Sequence, residues 1–138
     1  MRYYLDTNML VFILLYTDEI HRDVFEIIDD SSNTFYVSSI VVKEIIHLHK
    51  RGIIREKRFR TTSDVLNAMK NAGIEVKLLN ENHLLQYAGM DINTDEHNDP
   101  NDHAIIAQSI SDKIPLISSD HKFKYYISQG LELIFNKR

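Results

Sequence analysis

The sequence has no cysteine and no tryptophan, and only four glycines and two prolines. The lack of cysteine excludes a disulfide scaffold, a thiolate zinc site and thiol catalysis. So little glycine and proline leaves room for few loops and implies much regular structure. Neither G-x-G-x-x-G nor G-x-x-x-x-G-K-[ST] occurs, so the common glycine-rich phosphate loops are absent. An excess of positive charge is also missing: 16 Lys and Arg against 20 Asp and Glu give a net charge of −4. A general basic coat for nucleic acid is thereby excluded, while a local basic patch stays open. The tempting apolar run, Met9 to Tyr16, is eight residues long, far short of the ~20 that a membrane helix needs. It follows Asp6-Thr7-Asn8 instead of a basic region, and no small-residue cleavage site follows it. It reads as a buried helix, with no membrane segment and the cytoplasm as the expected location.

With 138 residues, 43% hydrophobic and 26% charged, the chain fits one domain spanning 1–138 with a core of its own. Tyr3 to Leu5 predicts a short strand, and Asp6-Thr7-Asn8 starts a helix that continues through Met9 to Tyr16. A second helix is expected from about Asp18 to Asp29, where Val24, Ile27 and Ile28 recur at helical spacing. Thr34 to Val37 reads as strand, and Ser38-Ser39 opens a helix over Ile40 to Lys50. A basic connection, Ile53 to Thr62, leads to a helix capped by Ser63 over Asp64 to Asn71, with Gly73 just past its end. Ile74 to Leu79 predicts a strand, Asn80 or Asn82 a helix start, and Met90 to Asn98 a polar loop. Asp99-Pro100 caps a helix over Asn101 to Ser111. Pro115 to Ser118 is a strand, Asp120 caps a helix to about Ser128, and Leu131 to Phe135 is a last strand. Strands and helices alternate, so the expected fold is α/β: a central parallel sheet flanked by helices on both faces, in three layers.

Chemistry in an open parallel sheet collects beyond the C-terminal ends of the strands. Asp6 follows the first strand and Asp120 the Pro115–Ser118 strand. Each is also a good N-cap, worth ~1 kcal/mol, and that role alone accounts for either residue singly. Asp102 lies in the first turn after the Asp99 cap, where the helix dipole favours a carboxylate. Reaching the same edge requires the Met90–Asn98 segment to carry it back there. Glu44 is less easily dismissed. Ile40 and Leu48 stand at i−4 and i+4, with Val41 and Ile45 beside them, so it falls inside the apolar stripe. An unpartnered carboxylate there is expensive. Its partner is either a Lys or Arg, the purely structural solution, or a cation shared with the other acids. Several carboxylates without an arginine cluster repel one another, and a hard divalent ion, Mg²⁺ or Mn²⁺, resolves the repulsion with oxygen ligands.

The seven histidines show no zinc spacing such as H-E-x-x-H. His103 and His121, next to Asp102 and Asp120, are the ones placed to touch a substrate phosphate. Lys50 to Arg60 holds six positive residues in eleven. It is either a solvated connection or, through Arg55, Arg58 and Arg60, a surface that tracks the phosphates of RNA. Phe59 within it either stacks on a base or anchors the loop.

These residues resemble a PIN domain, most closely the VapC-type toxin nucleases. Tyr4-Leu5-Asp6-Thr7-Asn8 resembles the family's opening strand with its D-T/S-N, and SSIVVKEI (Ser38 to Ile45) the segment with the helical Glu. DPNDHAIIAQS (Asp99 to Ser109) resembles D-P-F-D-R-x-x-I-A-Q-A, and LISSDHKF (Leu116 to Phe123) the late strand with T-x-D-x-x-F. Order and spacing agree along essentially the whole chain. The resemblance implies a Mg²⁺- or Mn²⁺-dependent ribonuclease whose acidic quartet is Asp6, Glu44, Asp102 and Asp120. Asn8 matches a polar residue that orients the site, Ser119 a small hydroxyl beside the last acid, and Asp99 the motif's first Asp, read as a cap. Asn101 replaces the usual Phe and His103 the usual Arg, which bears on substrate choice. The resemblance also implies an antitoxin partner and a homodimer. The expected activity is therefore metal-dependent hydrolysis of RNA phosphodiesters, as the toxin of a toxin–antitoxin pair. The alternative is a non-catalytic PIN-like module that binds RNA or protein, and the same acids also suit a phosphatase or DNA nuclease.

Overall fold

A computed structural model describes residues 1–138. Five strands, β1 (Arg2–Leu5), β2 (Thr34–Ser38), β3 (Ile74–Lys77), β4 (Leu116–Ser118) and β5 (Leu133–Phe135), form one sheet in the order β3-β2-β1-β4-β5. All four pairings are parallel. Helices α1 (Thr7–Leu15), α2 (Arg22–Asp29), α3 (Ser39–Lys50), α4 (Thr62–Asn71), α5 (Glu81–Gly89) and α6 (Pro100–Asp112) cover both faces, with 3-10 segments at Thr17–Glu19 and His121–Gln129. This is the α/β architecture expected from the alternation of short apolar strands with helices. The apolar run from Met9 is a helix on the central strand, with Met9 and Leu10 fully buried. No helix is long and apolar enough to cross a membrane.

The order of the strands sets the site. From β1 the chain winds outward through β2 to β3, then returns past β1 to β4, so direction reverses between β1 and β4. Tyr4 pairs with Leu116 and Leu5 with Ile117, which leaves Asp6 and Ser118 level where the two strands end. The α6 N-terminus reaches this edge because α5 and α6 run antiparallel: His83 in the first turn of α5 bonds Asp112 at the end of α6 (2.8 Å). The helix α5, and not the Met90–Asn98 loop alone, returns the chain.

Several boundaries differ from expectation: the last strand begins at Leu133 and not Leu131, the segment after Asp120 is a 3-10 helix, and three further differences have a local cause. The second helix begins at Arg22, capped by the ring of His21, because Thr17–Glu19 forms a separate turn. Thr61, not Ser63, caps α4: its hydroxyl accepts from the Asp64 N–H while the Asp64 carboxylate accepts from the Thr61 N–H. The Ile74–Leu79 strand stops at Lys77, and Asn80 forms the matching reciprocal cap with His83 on α5.

Buried polar groups tie these layers together. Tyr4 Oη donates to Asp112 Oδ2 (2.5 Å) and accepts from Gln108, whose amide also reaches the Lys77 carbonyl (3.0 Å). Burial works against the Asp112 charge, but the bonds from Tyr4 and His83 win and hold its carboxyl below the usual range. Directly after β5, the buried Asn136 accepts from His21 N–H (2.7 Å) and donates to the Glu19 carbonyl (3.0 Å).

Candidate functional site

A cavity of about 290 Å³ opens where β1 and β4 end, lined by Asp6, Thr7, Asn8, Glu44, Leu48, Asp99, Asp102, Asp120 and Phe123. The four acids read from the sequence thus reach one hollow from four different elements. Asp6 is the α1 N-cap and Asp120 the cap of the His121–Gln129 segment, accepting from Met9 N–H and Lys122 N–H, respectively (both 2.9 Å). Capping and cavity-lining coexist, since a cap occupies only one carboxylate oxygen. Asp99 does the same. Its Oδ1 accepts from Asn101 and Asp102 N–H, the cap expected of it, yet it also lines the cavity as a fifth carboxylate.

Glu44 has neither a Lys nor an Arg partner. Its Oε1 accepts from the Thr7 hydroxyl at 2.8 Å. Asp102 Oδ2 lies 3.0 Å from His97 Nε2. No lysine or arginine forms a salt bridge with any of the five acids. The electrostatic cost is visible in their protonation. Burial pushes Asp6, 4% exposed, up to about 7, with the charges of Asp102 and Asp120 adding to it and the Ser118 hydroxyl and Met9 N–H opposing. Burial, then Asp99, Glu44 and Asp120, push Asp102 up to about 8. Glu44 is raised by burial as well. A group of carboxylates with no lysine or arginine partner, three of them raised by burial, is the donor set that suits a hard divalent ion. Ligand atoms of His97, Asp102 and Asp120 all lie within 4.8 Å of one another.

The residues expected to support the acids divide. Asn8 is exposed and lines the cavity. Ser119 does not line it. The hydroxyl that bears on the acids is that of Ser118, which bonds Asp6 and accepts from Asp120 N–H (3.0 Å); only the register of β1 against β4, which the sequence does not carry, distinguishes it from Ser119. His103 does not line the cavity. It is buried, its Nε2 bonded to the His97 carbonyl (2.8 Å), because its side of α6 packs on the His121–Gln129 segment. His121 is exposed and stands with Lys122, Lys124 and Tyr125 in a separate hollow.

Arg55, Arg58 and Arg60 are exposed but line neither the acidic cavity nor its neighbour. Arg55 donates to the Gly52 carbonyl (2.6 Å), and Arg58 to the Leu14 carbonyl (2.5 Å). Phe59 is buried and anchors the loop, its carbonyl bonded to His49. The positive groups beside the acids come instead from α3. A hollow of about 450 Å³ shares Glu44 and Leu48 with the acidic cavity and is lined by Lys43, His47, Lys50 and Asn101. The spacing of Lys43, His47 and Lys50 at i, i+4 and i+7 was the sequence signal for this face.

The PIN domain family model matches residues 3–127. No curated protein matches the sequence. Among solved structures, the chain is similar to one in VapBC2 from Rickettsia felis bound to a DNA fragment from their promoter: TM-score 0.72, 20% identity, 99% of this chain and 100% of that one. It is similar to one in DNA-bound VapBC from Salmonella typhimurium, with TM-score 0.69, 16% identity and 98% of each chain. The same holds for VapBC-1 from nontypeable Haemophilus influenzae, with TM-score 0.64, 20% identity and 98% of each chain.

Proposed function

The chain belongs to the PIN domain family, and from that premise we propose that it is a single-domain, Mg²⁺- or Mn²⁺-dependent endoribonuclease acting as the toxin of a toxin–antitoxin pair. The observation that carries this reading is the cavity of five carboxylates without a lysine or arginine partner, at the sheet's point of reversal. Asp6, Asp102 and Asp120 would hold the cation, with Glu44 binding directly or through water. When bound, such an ion lowers the pKa of water and neutralises charge on the reacting phosphate. Thr7 keeps the Glu44 carboxylate turned to the cavity, and Asn8 contributes a neutral polar side chain at its rim. Lys43, His47 and Lys50 offer the adjoining face for phosphates flanking the scissile bond, so α3 carries both Glu44 and the substrate track. Water adds to phosphorus in line and the 3′-oxygen leaves, giving 5′-phosphate and 3′-hydroxyl ends.

A protein antitoxin, a homodimer and a cytoplasmic location belong to the same reading. The resemblance to chains of VapBC complexes supports the partner, and exposed Val76, Leu78, Leu84 and Leu85 on β3, the loop after it and α5 offer apolar surface for association. The test is cleavage of single-stranded RNA with Mn²⁺, alongside single-stranded DNA and a phosphomonoester. Cleavage of RNA with 3′-hydroxyl products supports the proposal. Binding of RNA with no cleavage under any divalent ion would instead leave a non-catalytic binding module.

A further inference from the structure

We propose that His97 is the positioning residue of Asp102, fixing that carboxylate for the cation, and that His103 in turn fixes His97. The inference rests on the divalent-cation reading above. The His97 side chain is 4% exposed. Its ring is enclosed by three others: His103 edge-on at 4.8 Å, Phe123 at 5.4 Å and Tyr126 at 5.7 Å. Nδ1 is buried without a partner, and Nε2 meets Asp102 Oδ2 at 3.0 Å. An ionised carboxylate, which a cation requires, has no hydrogen to give, so the imidazole supplies it from Nε2. Nδ1 is then a bare nitrogen facing rings.

One carboxylate oxygen of Asp102 is thereby occupied, and the other is left to Glu44, Asp99 and Asp120. Second-layer hydrogen bonds of this kind orient ligands before the ion arrives. The geometry closes on itself. Asp102 and His103 are neighbours on α6, and His103 Nε2 bonds the carbonyl of His97. The first turn of the helix therefore holds the loop, and the loop holds the acid. His103 is buried behind the cavity lining, where its role is to hold the His97 backbone.

The experiment is Mn²⁺ titration calorimetry on the full chain and two variants, with electron spin-echo spectroscopy of the Mn²⁺ complex to detect a directly bound nitrogen. His97→Leu keeps apolar bulk and loses the donor; His97→Gln places an amide N–H near the Nε2 position. The expected result is a Mn²⁺ dissociation constant raised about tenfold or more in His97→Leu, most of it recovered in His97→Gln, and no bound nitrogen in the parent. His103→Phe, which keeps the ring and loses the bond to His97, should weaken Mn²⁺ in the same direction, and it serves if His97→Leu does not fold. A directly bound nitrogen would make His97 a ligand and overturn the proposal. Equal affinities in the Leu and Gln variants, or an unchanged affinity in His103→Phe, would overturn it as well. If the parent binds no Mn²⁺ at all, the cation reading itself fails.

Discussion

At the scale of the residue, the acids carry a tension between folding and chemistry. Asp6 and Asp102 titrate near 7 and 8 in the fold, against about 4 for an unfolded aspartate. Below pH 4 both states hold these protons and no penalty exists. Between 4 and 8 the native state holds more protons than the unfolded one, so stability falls as pH rises, and above 8 the penalty is complete. Without a divalent ion, the melting temperature should therefore drop by several degrees from pH 5 to pH 8.5. Saturating Mn²⁺ should reverse most of that drop and stabilise more at pH 8 than at pH 5, as melts across this range would show. A melting temperature that rises over the same interval contradicts the burial assigned to these carboxyls. Asp6→Asn removes charge while keeping shape and cap, so it should flatten the pH dependence and reduce RNA cleavage to background without loss of fold. Glu44→Gln should raise stability in the absence of metal and weaken Mn²⁺. A lowered melting temperature with unaltered Mn²⁺ affinity would reveal Glu44 as purely structural.

At the scale of the element, the proposed reading gives α3 two tasks, carrying Glu44 and facing phosphate, and gives the loop after it neither. Charge reversal at Lys43 and Lys50 should lower RNA affinity and reduce the slope of log K against log salt by about 0.7 for each phosphate no longer neutralised. Binding is measured with Ca²⁺ or on Asp6→Asn to suppress cutting. The same reversal at Arg55, Arg58 and Arg60 should change the slope less, since two of those guanidinium groups are engaged on backbone carbonyls. A larger effect from the loop than from the helix would put the substrate on the loop. Much of this arrangement is legible in sequence because caps and periodicity are local. Asp99-Pro100, Ser38 and Asp120 each announce a helix start, and Glu44 declares itself by interrupting an apolar stripe. Ser63 misleads because it lies two residues past Thr61, although Asp64 three residues after Thr61 completes the reciprocal cap. The roles of His97 and Thr7 are harder to read. Thr7 depends on a contact made across the fold, to Glu44 on α3, while His97 meets Asp102 by a turn of an irregular loop with no periodicity to reveal it, and neither residue stands out from its neighbours by spacing. Asn8 is distinguished by the resemblance alone.

At the scale of the whole molecule, β1 is the keystone of both sheet and site. Its Tyr4 hydroxyl joins the central strand to the network of Asp112, His83 and Gln108, so Tyr4→Phe should cost roughly 2 kcal/mol. Urea unfolding should show this as a lower midpoint with an unchanged slope, while the cavity acids, none of which bonds the Tyr4 hydroxyl, keep their Mn²⁺ affinity. The pairing of Tyr4 with Leu116 also has a meaning for timing. The first strand made on the ribosome lacks one of its two neighbours until almost all of the sequence has been translated, and pairings of such long separation form slowly. A growing chain already contains Asp6, Glu44 and Asp102, but Asp120 and the Ser118 hydroxyl are still to come. On the proposed reading, a nascent chain therefore has an incomplete acidic site, and RNA cleavage begins only once the β4 segment and Asp120 have been translated.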